Sequence, residues 1–149
     1  MASCILEWHS MKKVVLVGGC FDLLHYGHIS FLKQAKSYGD WLVVALESDE
    51  NVRKMKGDAR PIHSQAQRKE MLEALSFVDE IMPLPPMHGD RDYFKMVRNI
   101  KPSVIAITEG DLLAVKKTEQ AKEIGARLVV VPKIHTPSTS QLSKLLGLE

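Results

Sequence analysis

Gly18-Gly19-Cys20-Phe21-Asp22-Leu23-Leu24-His25-Tyr26-Gly27-His28 decides the fold of this chain. It follows the run Lys13-Val14-Val15-Leu16-Val17, which reads as a buried strand. It leads into a stretch whose spacing predicts a helix over His25–Tyr38, closing near Gly39. A strand, a small-residue turn and a helix start together form an anion site. Turn N–H groups point at the ligand, and the positive end of the helix dipole adds to them. His25 and His28 stand three residues apart, so they share about one face of a first helical turn. Gly27 puts no side chain between them to block a phosphate. Two histidines near a turn are also compatible with plain surface or core positions, but the strand and turn before them favour the phosphate reading.

Working outward, apolar runs alternate with amphipathic stretches to the end of the chain. Trp41–Leu46 is apolar on both faces, as a parallel strand covered by helices should be. A helix is expected from Ser64 to Leu75, a short proline-interrupted strand over Glu80–Leu84, and a helix over Tyr93–Asn99. Ser103–Thr108 reads as a strand, Leu113–Ile124 as a helix closed by Gly125, Arg127–Val131 as the last strand and Thr139–Leu146 as a final helix. Strands alternating with helices predict a doubly wound, Rossmann-like α/β fold with a parallel sheet. Its ligands belong beyond the carboxyl ends of the strands, where strand order reverses.

With 149 residues and 45% hydrophobic content, the chain suits one domain with a proper core. A formal net charge of +2 is too small to argue for a nucleic-acid partner. Lys116-Lys117 reads as a solvated basic face. Two cysteines, Cys4 and Cys20, make neither a disulfide framework nor a zinc site, and no metal-ligand cluster is expected. No run of 18 apolar residues is present to span a membrane, and Met1–Ser10 lacks signal-peptide features. A cytoplasmic protein is expected.

Gly19-Cys20-Phe21-Asp22-Leu23-Leu24-His25-Tyr26-Gly27-His28 resembles the signature of the HIGH-type nucleotidyltransferases, within the cytidylyltransferase-like group. The resemblance runs from Lys12 to Leu146. It implies residues 1–11 as an N-terminal extension and 12–149 as a nucleotidyltransferase domain. It also implies transfer of a nucleotidyl group from an NTP to a phosphorylated small molecule, with release of pyrophosphate. Mg²⁺ is the cofactor that NTP chemistry of this kind calls for, bridging phosphates with one or two protein carboxylates. Members of the group are commonly dimers, which carries over as an expected homodimer. The proline-rich stretch Met82–Met87 is one candidate contact, a rigid loop being the alternative.

Within that resemblance, His25 and His28 would donate to phosphate oxygens as charge grows on the leaving pyrophosphate. Gly19, Cys20, Phe21 and Gly27 would bring backbone close to the nucleotide. Cys20 is expected as a small residue under a phosphate, since this chemistry needs no covalent enzyme intermediate. Asp22 either contacts the acceptor or a metal-bound water, or caps the helix. Lys56, in a loop resembling the Lys-Gly-x-x-Arg-Pro of ADP-heptose-type relatives, would reach over both reactants, with Arg60-Pro61 completing the match. Arg68 matches an arginine that contacts acceptor or nucleotide phosphate, and a planar fork suits a monoester. Val78-Asp79 matches a step read as structural.

Glu109-Gly110-Asp111-Leu112 keeps the family's Gly-Asp but changes its flanks. Asp111 binds ribose or caps the next helix, and Glu109 is placed with the acceptor. Thr136-Pro137-Ser138-Thr139-Ser140 resembles the family's Ile-Ser-Thr-Thr, which would put Ser138 and Thr139 on nucleotide phosphates, with Lys133 standing where relatives often carry Arg. The loop tilts the reading to ATP and a heptose 1-phosphate. CTP with glycerol 3-phosphate and ATP with FMN are the alternatives within the class. A nucleotide-binding regulator without turnover is the alternative outside it.

Overall fold

The computed structural model describes residues 12–148. The expected N-terminal extension, with Cys4, lies outside the described residues.

Five strands form one parallel sheet in the order β3-β2-β1-β4-β5. They are β1 (Val14–Gly19), β2 (Trp41–Leu46), β3 (Glu80–Pro83), β4 (Val104–Thr108) and β5 (Arg127–Val131). The helices between and after them are α1 (Tyr26–Lys36), α2 (Asp49–Lys56), α3 (Gln65–Glu73), α4 (Asp90–Ile100), α5 (Ala114–Ile124) and α6 (Thr139–Leu145). The chain moves outward from β1 to β3, then crosses back to pair β4 against β1. The strand order therefore reverses between β1 and β4, directly beneath the Gly18-to-His28 turn.

Alternation along β1 sorts the core into two halves. Val15 and Val17 pack with Leu32 and Ala35 of α1 and Leu72 of α3. Val14 and Leu16 pack with Val97 of α4 and Ala121 of α5. Both sheet faces are covered, as the apolar-run strands require. Gly39 allows α1 to return to the sheet: a Cβ there would lie 2.4 Å from the Lys13 carbonyl oxygen. Asp79 accepts the Leu42 N–H at 2.7 Å and pairs with Lys36. This bears out the structural reading of the Val78-Asp79 step.

The elements follow the sequence reading with one addition. Residues 49–56 form α2, where the sequence was read as a loop carrying Lys56. Ser48 caps it by accepting the Asn51 N–H, Asp49 and Glu50 fill its first turn, and Arg53, Lys54 and Lys56 its last. In the Met82–Met87 stretch the three prolines are exposed while Leu84 and Met87 turn into the core. Among the described residues, no helix is long and apolar enough to cross a membrane.

Candidate nucleotide and acceptor site

Two hollows flank the carboxyl ends of β1 and β4. The first, of about 120 Å³, is lined by His25, Gly27, His28, Thr108, Lys133 and Ser138, among others. The second, of about 210 Å³, lies on the α4–α5 side and touches Gly18, Gly19, Cys20 and Glu47.

The histidines are the most constrained part of the first hollow. His25 is the cap of α1: its Nδ1 accepts the Gly27 N–H at 3.0 Å. An accepting Nδ1 leaves the proton of the neutral ring on Nε2, where it can be donated outward. His28 stacks on His25, with ring centroids 3.9 Å apart, and Phe21 tilts against His28 at 5.2 Å. Phe21 holds a left-handed backbone, φ 45°, to make that contact. Burial and the neighbouring His25 push the His28 pKa down to about 4, although the Leu23 backbone favours its protonated form. His28 Nδ1 is buried without a well-formed hydrogen bond among the described residues. Burial also lowers His25. Both rings are therefore neutral at pH 7 in the free protein.

Gly27 is required by His25 rather than only by a ligand. A Cβ at position 27 would lie 2.8 Å from His25 Cε1 and 3.0 Å from Thr136 Cγ2. Gly19 is held open by Phe21 in the same way, at 2.8 Å.

Ser138 caps α6 by accepting the Gln141 N–H, with Gln141 returning the contact in a capping box. It lines the first hollow as expected. Thr139 Oγ1 donates to the Leu23 carbonyl at 3.0 Å, so it ties α6 to the turn before His25. Lys133 lines the hollow, and its N–H reaches Glu109 Oε2 at 3.3 Å. Glu109 is thus tied to Lys133, a wall of the first hollow. Lys56 ends α2 and makes no hydrogen bond or ion pair among the described residues. Its charge bears on both Cys20 and His28, which puts a free cation near both hollows.

Three expected contacts are committed elsewhere. Asp22 is buried, and His25 rather than Asp22 caps α1. It accepts Arg60 Nε at 2.6 Å and the N–H groups of Ile62 and His63. Burial would raise its carboxyl, but those N–H bonds and the guanidinium outweigh it and hold it below the usual range. Arg68 is 0% exposed and braces the turn. It donates to the carbonyls of His63, Cys20 and Glu47 and pairs with Asp49 at 2.7 Å. A fork so occupied has little left for a phosphate. Asp111 accepts the Leu113 N–H at 2.8 Å and pairs with Lys117 at 2.7 Å, so it organises the start of α5, the capping alternative of the sequence reading.

The second hollow contains groups the sequence reading passed over. Tyr93 donates to Glu47 at 2.9 Å and accepts from Asn51 at 3.3 Å. Burial raises Glu47 and, with Glu47 beside it, Tyr93. Lys116 and Lys117 were read as a solvated face, yet both line this hollow. Burial and Glu47 push the Cys20 thiol up, so it stays protonated, in keeping with no nucleophilic role.

Residues 16–133 match the cytidylyltransferase-like family model. The chain belongs to the cytidylyltransferase-like family. It is 36% identical over 133 residues to the bifunctional protein HldE of Koribacter versatilis, covering 88% of this chain and 26% of that protein. It thus spans about a quarter of that relative. It is 39% identical over 139 residues to the FAD synthase of Thermococcus sibiricus, covering 91% of each. Among solved structures, a lipopolysaccharide core biosynthesis protein from Thermoplasma volcanium superposes with a TM-score of 0.67 at 27% identity. That superposition covers 84% of this chain and 98% of the other. The HIGH-type resemblance and the doubly wound fold are both borne out by these likenesses.

Proposed function

We propose that this cytidylyltransferase-like chain transfers an adenylyl group from ATP to the phosphate of a small-molecule acceptor, releasing pyrophosphate. The observation that carries the reading is the stacked, neutral His25–His28 pair at the start of α1, facing a hollow whose other wall includes Ser138. An acceptor phosphate oxygen attacks the α-phosphorus, and the α–β bridging P–O bond breaks. The pyrophosphate leaves with the electron pair. The attacking group is already an anion, so no general base is needed.

His25 donates from Nε2 toward phosphate, and backbone N–H groups of the turn add to it. A triphosphate beside His28 draws its pKa up and makes it a stronger donor as charge develops. Lys56 supplies the mobile charge that compensates both reactants. Asp22 is committed to Arg60, Ile62 and His63, and no cluster of three metal-ligating side chains exists among the described residues, so Mg²⁺ would come with the triphosphate and would supply neutralisation of its charge.

The heptose 1-phosphate reading rested on Lys56-Gly57-x-x-Arg60-Pro61. Arg60 of that motif is 2% exposed and clamps Asp22, so the motif speaks of loop anchoring more than of the acceptor. FMN is the second reading, favoured by the FAD synthase likeness over 91% of both chains. The homodimer is a proposal that follows from the family, and the cytoplasmic location one that follows from the absence of a long apolar run in the sequence.

Mass spectrometry of products tests the assignment. Mg²⁺ with ATP or CTP is crossed against heptose 1-phosphate, glycerol 3-phosphate and FMN. An adenylylated acceptor supports the reading, and a cytidylylated one replaces ATP by CTP. No product in any pair, with nucleotide bound, supports the regulator instead.

A further inference from the structure

The two stacked histidines have their ring nitrogens held differently. His25 Nδ1 accepts the Gly27 N–H, so a neutral His25 donates from Nε2. His28 Nδ1 has no such donor. It is buried without a well-formed hydrogen bond among the described residues, and the backbone group that bears on the ring is Leu23. A carbonyl only accepts, so it pairs with Nδ1 only when Nδ1 carries a proton. A neutral ring protonated there leaves a bare Nε2 for the phosphates. A doubly protonated ring satisfies both ends, with Nδ1–H on Leu23 and Nε2–H on phosphate.

The Leu23 carbonyl is itself held. Thr139 Oγ1 donates to it at 3.0 Å, across 116 residues of chain. A carbonyl oxygen has two lone pairs, so this bond leaves one for His28 and fixes where it lies. Thr139 opens α6 beside Ser138, which lines the first hollow. One peptide group therefore joins α6 to His28. The other titratable or charged groups around the ring are His25 on α1, Lys56 at the end of α2 and Lys133 after β5. His25 and Lys56 oppose a positive charge on His28, and the Leu23 backbone favours it.

We propose that Thr139 is a positioning residue for His28: its hydroxyl holds the Leu23 carbonyl where it accepts from Nδ1–H once a bound triphosphate draws a proton from water onto the ring. The proposal rests on the transfer reading above for the place of the triphosphate, and deepens it. His25 then donates as a neutral ring and His28 as an imidazolium. The stacked pair carries one positive charge instead of two, and His28 is the stronger donor, since a charged N–H makes about twice the bond of a neutral one. Without the hydroxyl the carbonyl turns more freely, and the ring holds its second proton less firmly.

Thr139→Val removes the hydroxyl and keeps the side-chain shape, while Thr139→Ser keeps the hydroxyl. Nitrogen NMR of the histidine rings with Mg²⁺ and α,β-methylene-ATP, whose α–β link resists cleavage, reads His28 without turnover. In the wild type and Thr139→Ser, His28 should charge at a higher pH with the analogue than without it, with a proton on Nδ1. In Thr139→Val the midpoint with analogue should lie about one unit lower, a tenfold weaker hold on the proton. The kcat of Thr139→Val should match the wild type at low pH and fall to about a tenth of it as pH rises, because the active form is the one losing its proton. A purely structural role, or a lost phosphate contact, gives a deficit that does not vary with pH.

Equal His28 midpoints in the wild type and Thr139→Val overturn the proposal. A bare Nδ1 in the wild type with analogue bound overturns it whether or not the variant folds. In both cases product formation leaves the transfer reading standing. A Thr139-dependent rise in the midpoint, with no transfer to any acceptor, keeps the proposal and removes the transfer reading. No binding of the analogue by the wild type removes both.

Discussion

His25 shows how a single residue serves both structure and chemistry. Its Nδ1 caps α1 through the Gly27 N–H, and that bond fixes the tautomer that leaves Nε2–H for a phosphate. The His25 ring and Thr136 leave no room at position 27 for a methyl group. Gly27→Ala therefore separates folding from function. Ala is the better helix former by about 0.5–1 kcal/mol, which offsets local crowding. We expect the melting temperature to change by only a few degrees while turnover falls at least tenfold, since a catalytic group is pushed aside. Thermal unfolding and steady-state rates measured on one preparation check it, and unchanged turnover would mean that the His25 position is not critical.

The same residue scale shows where the sequence was legible. His25, His28, Gly27 and Ser138 were readable because their spacing after a strand or at a helix start places them on one side. Arg68 was read as a ligand contact, and Asp22 and Asp111 as ligand contacts or helix caps, yet their partners lie 38 residues away for Asp22–Arg60, 48 for Arg68–Cys20 and six for Asp111–Lys117. A charged residue saturated by distant backbone looks no different in sequence from one awaiting a phosphate.

Among elements, the strands were plain because a parallel sheet covered on both faces makes continuous apolar runs. Helix α2 was missed because only Asn51 and Val52 of its eight residues are buried, too few to show a helical period. Its terminal charges and the Ser48 cap carried the signal instead. Helix α3 gives an energetic prediction. Arg68 joins α3 to the carbonyls of Cys20 and Glu47 at the ends of β1 and β2 and to Asp49 of α2. Arg68→Met strips buried carbonyls of their donor, at about 3 kcal/mol or more in total. Urea unfolding should show that loss. A variant of unchanged stability but lost phosphate binding would restore Arg68 as a ligand contact.

For the whole molecule, the two neutral histidines make stability depend on pH. His28 titrates near 6.5 in the unfolded chain and at about 4 in the folded one. Between those values the unfolded state holds a proton that the folded state lacks, so stability falls as pH drops through that window. The slope approaches about 1.4 kcal/mol per pH unit for one such proton. His25, also lowered, adds in the same direction. Asp22 is depressed, so its contribution is present above the usual carboxylate range and is lost as pH falls below it. Urea midpoints from pH 7 to pH 4 should decline, and His28→Asn should flatten much of that decline. A flat wild-type profile would mean that His28 titrates normally in the fold.

The central claim is that the stacked histidines stabilise a departing pyrophosphate. Its most direct test is the rate of pyrophosphate release from Mg²⁺-ATP, at saturating acceptor, by the wild type and by His28→Ala. We expect release by the wild type and a loss of about a hundredfold or more in the variant, the scale of removing one transition-state donor, with the circular dichroism spectrum unchanged. Equal rates in a folded variant, or no release by the wild type with any phosphorylated acceptor, would contradict it.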